Sequence, residues 1–331
     1  MKNRDLFQRD PTAEKLLNDG QARIEDALSD RERKTLRWEL ANFACEGQYA
    51  EGLLRILHSY LKNLGSTSQP AAWVSGFFGS GKSHLLKMIH HLWINTELEN
   101  GATARGIAPS LPHDVEAALK ELDTQGRRLG GLHAASGTLP AGGGGSVRLT
   151  VLGIILRSRE LPEAYPQAKF CLYLRNNGFL DKVRSAVEKA GKNWLKELNN
   201  LYVSPVLHDA LVSVDAGFRD RAAVRELLKK QFPPCDDIPT SDFIQTVREV
   251  LAVENKIPCT VVLLDEVQLF IGDSSDRATQ VIEVAEALCK QMDSRVLLVG
   301  AGQTALSGTT SLLQKPLTPK LPTRFDSRYF L

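Results

Sequence analysis

Eight consecutive residues, Gly76, Phe77, Phe78, Gly79, Ser80, Gly81, Lys82 and Ser83, satisfy the pattern G-x-x-x-x-G-K-[ST] in full. Glycines at these positions let the backbone bend until successive amides aim at one point, where the N-terminus of a following helix adds its partial positive charge. Such a cradle suits phosphate. In it, Lys82 reaches the β- and γ-phosphates of a nucleoside triphosphate, and the Ser83 hydroxyl belongs on Mg²⁺. His84 opens the helix and counts with these residues as nucleotide-binding. Phe77 and Phe78 are unusual bulk inside the loop, and either pack beneath it or face a partner.

A second group lies far along the chain. The run TVVLLDEVQLF is continuously apolar until Asp265 and Glu266. An aspartate at the end of such a strand holds magnesium through its water shell, and an adjacent glutamate can take a proton from an attacking water. Two acids can also simply cap the next helix, where they favour its dipole; the complete P-loop upstream favours the paired-acid chemistry. At the end of the next apolar run, RVLLVGAG, Gln303 or Thr304 stands where P-loop ATPases with an additional strand keep a polar residue that senses the γ-phosphate and orients water. Arg324 and Arg328, in TRFDSR, are either an arginine finger for a neighbouring subunit or a bare basic terminus.

These residues require strands to carry them. AAWVSG after Pro70 suits a buried strand that feeds the glycine loop. Leu85, Leu86, Ile89, Leu92 and Trp93 recur at helical spacing after it, with His84, Lys87 and His91 on the other face as a solvated or satisfied surface. His90 and His91 lack an acidic or cysteine partner at metal-ligand spacing. VVLLD reads as a parallel strand buried on both faces, its acids emerging at the carboxyl end where such sheets bind ligands. Ala278, Val281, Ile282, Ala285, Leu288 and Met292 form one helical stripe before the next strand, which completes a βαβ rhythm. The fold expected is α/β: a P-loop NTPase sheet of the AAA+-like, additional-strand kind, with helices on both faces and a long, mostly helical insertion.

The chain divides accordingly. Residues 1–69 form a helical lead-in, in which Ser29 and Glu32 have the spacing of a capping box. Residues 70–314 form the ATPase domain, with the helical insertion at about 105–255, and 315–331 form a proline-rich tail. Within the insertion, 180–201 and 221–232 are rich in helix formers and basic on one side, which either solvates a face or touches nucleic acid. The glycine run before VRLTVLGIILRS reads as a hinge, or as a cradle for a second phosphate.

Bulk properties bound the function. In 331 residues, apolar types make up 43% and charged types 24%, as in ordinary globular proteins. A net charge of +2 supplies no global field toward nucleic acid or anionic membrane. Five scattered cysteines read as free thiols in a reducing cytoplasm. The polar N-terminus MKNRDLFQRD and the absence of a run of ~20 apolar residues point to a cytoplasmic protein without a membrane span.

With those residues in view, WVSGFFGSGKSHLLKM, SGTLPAGGGGSVRL and VVLLDEVQLF together resemble the large P-loop ATPases of bacteriophage-exclusion (BREX) systems, the BrxC/PglY type. The likeness runs from the helical lead-in to about Gln314, and the double-phenylalanine P-loop is its most specific element. It implies ATP and Mg²⁺ as cofactors, an oligomer, and a role in phage defence beside a DNA methyltransferase and other subunits, with direct or indirect association with DNA. Nucleotide-gated scaffolding with little turnover, or a DNA-associated motor, are the alternatives. Members of that family continue into a lid and further domains. KPLTPKLPTRFDSRYFL, with its close-set prolines, departs from them and reads as a truncated end, so a chain of this length is expected to bind nucleotide more readily than to turn it over.

Overall fold

The computed structural model describes residues 29–109, 111–142, 145–214 and 219–303, together with the backbone of 325–330. Its centre is a parallel sheet of β1 (Ala71–Ser75), β2 (Leu132–Thr138), β3 (Cys259–Asp265), β4 (Val296–Gly302) and β5 (Phe325–Phe330), in the order β2-β3-β4-β1-β5. β1, β3 and β4 are buried along their whole length. Both faces are covered, so these strands read as unbroken apolar runs rather than alternating ones. β4 lies between β1 and β3, and the strand that carries the glycine loop is therefore not a neighbour of the strand that carries the acids.

Five helices lead into and out of the first strand: α1 (Asp30–Ala41), α2 (Gly47–Asn63), α3 (Lys82–Ile94), α4 (Ala104–Ile107) and α5 (His113–Leu129). They share one core with Ala72 and Val74 of β1, Val261 and Leu263 of β3 and Val299 of β4. The capping box at α1 is present, with the Ser29 amide donating to Glu32 Oε2 at 2.7 Å. α2 buries Leu53, Ile56, Leu57 and Tyr60 on one face, each worth about 1.5–3 kcal/mol by area removed from water.

Between β2 and β3 the chain runs through α6 (Val147–Arg157), α7 (Tyr165–Asn176), α8 (Leu180–Lys189), α9 (Trp194–Asn199), α10 (Pro205–Val214), α11 (Arg221–Gln231) and α12 (Thr240–Leu251); α13 (Val267–Ile271) and α14 (Ser275–Gln291) connect β3 to β4. α6, α12, α13 and α14 pack on the second face of the sheet with Trp73, Val262, Leu264 and Leu298. Successive strand residues thus feed opposite layers, as a period of two demands. α7 to α11 enclose a core of their own around Phe170, Leu174, Val187, Leu211 and Phe232.

Two expectations need correction. The stretch read as a helical insertion contains a strand, β2, and its α5, α6 and α12 belong to the layers on the sheet. The separately packed helical lobe is only about 165–232. The helix-forming segment 180–201 folds as two helices, α8 and α9, because Gly191 takes φ 70° and Asn193 caps a new start with its side chain on the Lys196 amide. The tail contains a fifth strand at 325–330, parallel to β1. Among the described residues, no helix is long and apolar enough to cross a membrane.

Candidate functional site

β1 ends at Ser75 and α3 begins at Lys82, so six residues turn the chain from strand to helix. Gly79 and Gly81 make this possible with φ of 81° and 84°, a region that L-residues with a Cβ rarely occupy. Gly81 is the N-cap of α3 and no side chain caps that end, which leaves the first-turn amides to an anion. Lys82 Nζ donates to the Gly76 carbonyl at 2.8 Å and to that of Phe77 at 3.0 Å. An ammonium has three donors; one remains for a ligand oxygen. The Ser80 Oγ is buried within the loop and has no hydrogen-bond partner among the described residues.

Strand register brings the acids to the same end. Trp73 of β1 pairs with Gly300 of β4, and Gly300 with Leu264 of β3. One residue further along stand Val74, Ala301 and Asp265; Gly76, Gln303 and Glu266 follow within two steps at the carboxyl edge. Asp265 is only 4% exposed, and its Oδ1 accepts the Glu266 amide at 2.9 Å. Glu266 is exposed, and its backbone is left-handed, with φ 55° and ψ 29°. It occupies the N-cap of α13 without a capping hydrogen bond from its side chain. Burial lowers the Lys82 pKa, and the nearby negative charges of Asp265 and Glu266 act in the opposite direction.

Gln303 is exposed at the end of β4, and its amide donates to Gln268 Oε1 of α13 at 2.9 Å. Gln268, three residues after Asp265, therefore ties the β4 end to the helix that follows the acids. Its role was not readable in advance, since a glutamine in an amphipathic turn carries no distinguishing pattern.

Other elements hold the loop from beneath and from the side. The Tyr49 hydroxyl of α2 donates to the Ser80 carbonyl. Phe43, after α1, packs edge-on against His84 with ring centroids 5.8 Å apart. The His84 ring is thereby committed to packing, and burial lowers its pKa. Lys87, which helical spacing had placed on an outer face of α3, is buried against Glu39 of α1. His90 and His91 are buried too; the His91 ring shares a 2.9 Å hydrogen bond with Thr96. Residues 85–93 of α3 are all buried: the lead-in covers His84 and Lys87 through Phe43 and Glu39, and the segment after α3 meets His91 through Thr96.

Phe77 and Phe78 do not pack beneath the loop: they are 84% and 92% exposed. The glycine run near 142–145 lies partly outside the described residues, but the start of α6 behind it is occupied. Ser146 caps it by accepting the Leu149 amide, and Asp237 accepts from both Ser146 Oγ and the Arg148 guanidinium. The first-turn amides of α6 are thus already engaged, that of Leu149 by Ser146 Oγ and that of Val147 by Gln280 Oε1 at 3.5 Å. Thr304 and Arg324 lie outside the described residues; of Arg328 only the strand backbone is described.

No protein-family model matches the sequence. A polyphosphate fits the uncapped start of α3, the spare donor of Lys82 and the unpartnered Ser80 Oγ. For the metal, no group of three or more histidine, cysteine or acidic side chains that could hold an ion exists among the described residues. Magnesium does not need one: it keeps several waters and takes one or two protein ligands together with substrate phosphates; Ser83, in the first turn of α3, and Asp265, at the end of β3, are the oxygen-bearing residues expected for that role.

Proposed function

We propose that this chain binds Mg-ATP and hydrolyses it. The observation that carries the proposal is the placement of Lys82, which is oriented by two carbonyls of its own glycine loop and exposed to the fields of Asp265 and Glu266 across an intervening strand. The loop amides and Lys82 bind the phosphates; Ser83 and Asp265 hold the metal. Magnesium, when bound, neutralises phosphate charge and polarises the terminal phosphoryl group. Glu266, exposed at the carboxyl edge, takes the proton of the attacking water at its carboxylate, and Gln303 orients that water. Catalysis on this reading is positioning and charge stabilisation.

Magnesium-dependent phosphate release and nucleotide binding test it, in wild type, Lys82→Ala and Glu266→Gln. Loss of binding and turnover in Lys82→Ala, with loss of turnover alone in Glu266→Gln, is expected. A wild-type chain that binds no nucleoside triphosphate overturns the reading.

A second reading is favoured by Phe77 and Phe78, which present two aromatic faces to solvent from the nucleotide loop itself. A nucleotide-gated scaffold, whose loop shows or hides these rings to a partner subunit, would bind ATP tightly and turn it over slowly. The resemblance to BREX ATPases supports a place in a phage-defence complex beside a DNA methyltransferase, in the cytoplasm. Turnover assayed with and without DNA and that methyltransferase separates the motor from the scaffold: acceleration by DNA that fades with salt marks the motor.

A further inference from the structure

The lead-in helix α2 reaches the glycine loop at Tyr49. Tyr49 stands in its first turn, and Leu53, Ile56, Leu57 and Tyr60 continue the same face down the helix, all buried. At the far end the Tyr60 hydroxyl donates to the Arg295 carbonyl at 3.0 Å, immediately before β4, and Tyr60's own carbonyl accepts from Gln69 Nε2 at 3.0 Å. α2 is thus a strut fastened at the amino edge of the sheet and touching the glycine loop at the carboxyl edge, a span of roughly 16 Å between Tyr49 and Tyr60 at 1.5 Å per residue.

At the upper end one hydroxyl meets both sides of one peptide unit. The Tyr49 hydroxyl holds the Ser80 carbonyl. The same hydroxyl fills the space beside Gly81, where any Cβ would run into it. In a planar trans peptide the C=O and the following N–H point in opposite directions. Fixing the Ser80 carbonyl toward α2 therefore turns the Gly81 amide away from α2. That amide belongs to the N-cap of α3, and the residue before it carries the buried Ser80 Oγ, unpartnered among the described residues.

We propose that Tyr49 is a positioning residue for the phosphate loop, setting the Ser80–Gly81 peptide so that its amide is presented to a nucleotide diphosphate before any ligand arrives. The inference rests on the nucleotide-binding reading above and extends it, because it assigns part of phosphate affinity to a helix outside the loop. A preset peptide has no rearrangement to make on binding, which is where preorganisation acts. ADP and ATP share the diphosphate, so both should feel its loss equally; the water-activating step should not.

The test is Tyr49→Phe, which deletes the hydroxyl and keeps the ring. Amide hydrogen exchange across 76–83 is measured in the nucleotide-free protein, and Kd for ATP and for ADP, with kcat, in the same preparation; wild type and Lys82→Ala serve as references. The expected result is faster exchange in that segment, Kd raised about five- to tenfold for both nucleotides, the loss of one hydrogen bond, and kcat within about twofold of wild type. An unchanged Kd beside a wild type that binds overturns this inference and leaves the nucleotide reading standing. A raised Kd with unchanged exchange means that Tyr49 touches nucleotide directly, and equally overturns it. A wild type that binds neither nucleotide defeats both.

Discussion

Lys87 Nζ of α3 lies 2.6 Å from Glu39 Oε2 of α1, with side chains only 9% and 1% exposed. A buried ion pair adds little over an apolar pair of the same volume, but a single charge left behind in the core is costly, about 3–5 kcal/mol. Glu39→Gln should therefore destabilise by roughly 3 kcal/mol or more. The double variant Glu39→Leu/Lys87→Met should recover most of that loss. Urea denaturation of the three proteins decides the matter; a Glu39→Gln variant as stable as wild type would mean that α1 does not cover α3 in solution.

Trp73 lies across the end of β4. A Cβ on Gly302 would come within 2.5 Å of its indole ring, and one on Gly300 within 3.1 Å. Neither ring nor strand can retreat, since Trp73 is buried and Gly300 is its register partner. Gly302→Ala should cost about 1–3 kcal/mol by overpacking and should displace Gln303, the next residue, from Gln268. Thermal melts check the first effect and the phosphate-release rate the second; a fall in rate without a fall in Tm would separate the two.

What was legible follows from how locally each feature is determined. β1, β3, β4, α3 and α14 stand out because two-sided burial writes an unbroken apolar run or a 3.6-residue stripe. β2 did not stand out: LHAASGT is made of small residues, and the reason lies elsewhere in the chain. A Cβ on Gly137 would meet Ile154 of α6 at 2.8 Å, so small residues there admit a helix rather than mark a loop. The glycine loop and the Asp265–Glu266 pair stood out in the sequence as a pattern, whereas Tyr49 did not, since its partner Ser80 is 31 residues away. The same applies to Asp237 at the start of α6, 91 residues from Ser146. Long-range contacts of this kind leave no periodicity.

The buried histidines make stability depend on pH in a definite direction. Burial pushes His90 down to about 4, and burial with the neighbouring Arg159 and His90 charges pushes His133 down to about 3. His91 is lowered as well, by burial and then by His90 and Lys87. In the unfolded chain each titrates near 6.5. Below that pH the unfolded state binds protons that the folded state refuses, so stability rises with pH and is lost as pH falls from about 6.5 toward 4. For His90 alone the loss approaches roughly 3 kcal/mol at pH 4. Urea unfolding between pH 7.5 and pH 4.5 should show this decline, and His90→Met should flatten part of it. A variant with the same slope as wild type would place the titration on other groups.

Glu266 combines the proposed proton acceptor with a left-handed backbone, φ 55° and ψ 29°, at the turn from β3 into α13. For a residue with a Cβ that conformation costs about 1–2 kcal/mol, and strain of this kind persists only where surrounding contacts enforce it. Here the Asp265 carboxylate takes the Glu266 amide, and the Glu266 carbonyl accepts from the Phe270 amide at 3.0 Å, so both sides of the residue are fixed. Glu266→Gly should relieve the strain and Glu266→Ala should retain it. Although glycine normally weakens a helix start by its extra freedom in the unfolded chain, Glu266→Gly should be at least as stable as Glu266→Ala. Both, and Glu266→Gln, should keep nucleotide binding and lose turnover. Equilibrium unfolding that ranks alanine well above glycine would show the turn to be relaxed, and turnover that survives in Glu266→Gln would remove Glu266 from the proton-transfer step whatever its backbone does.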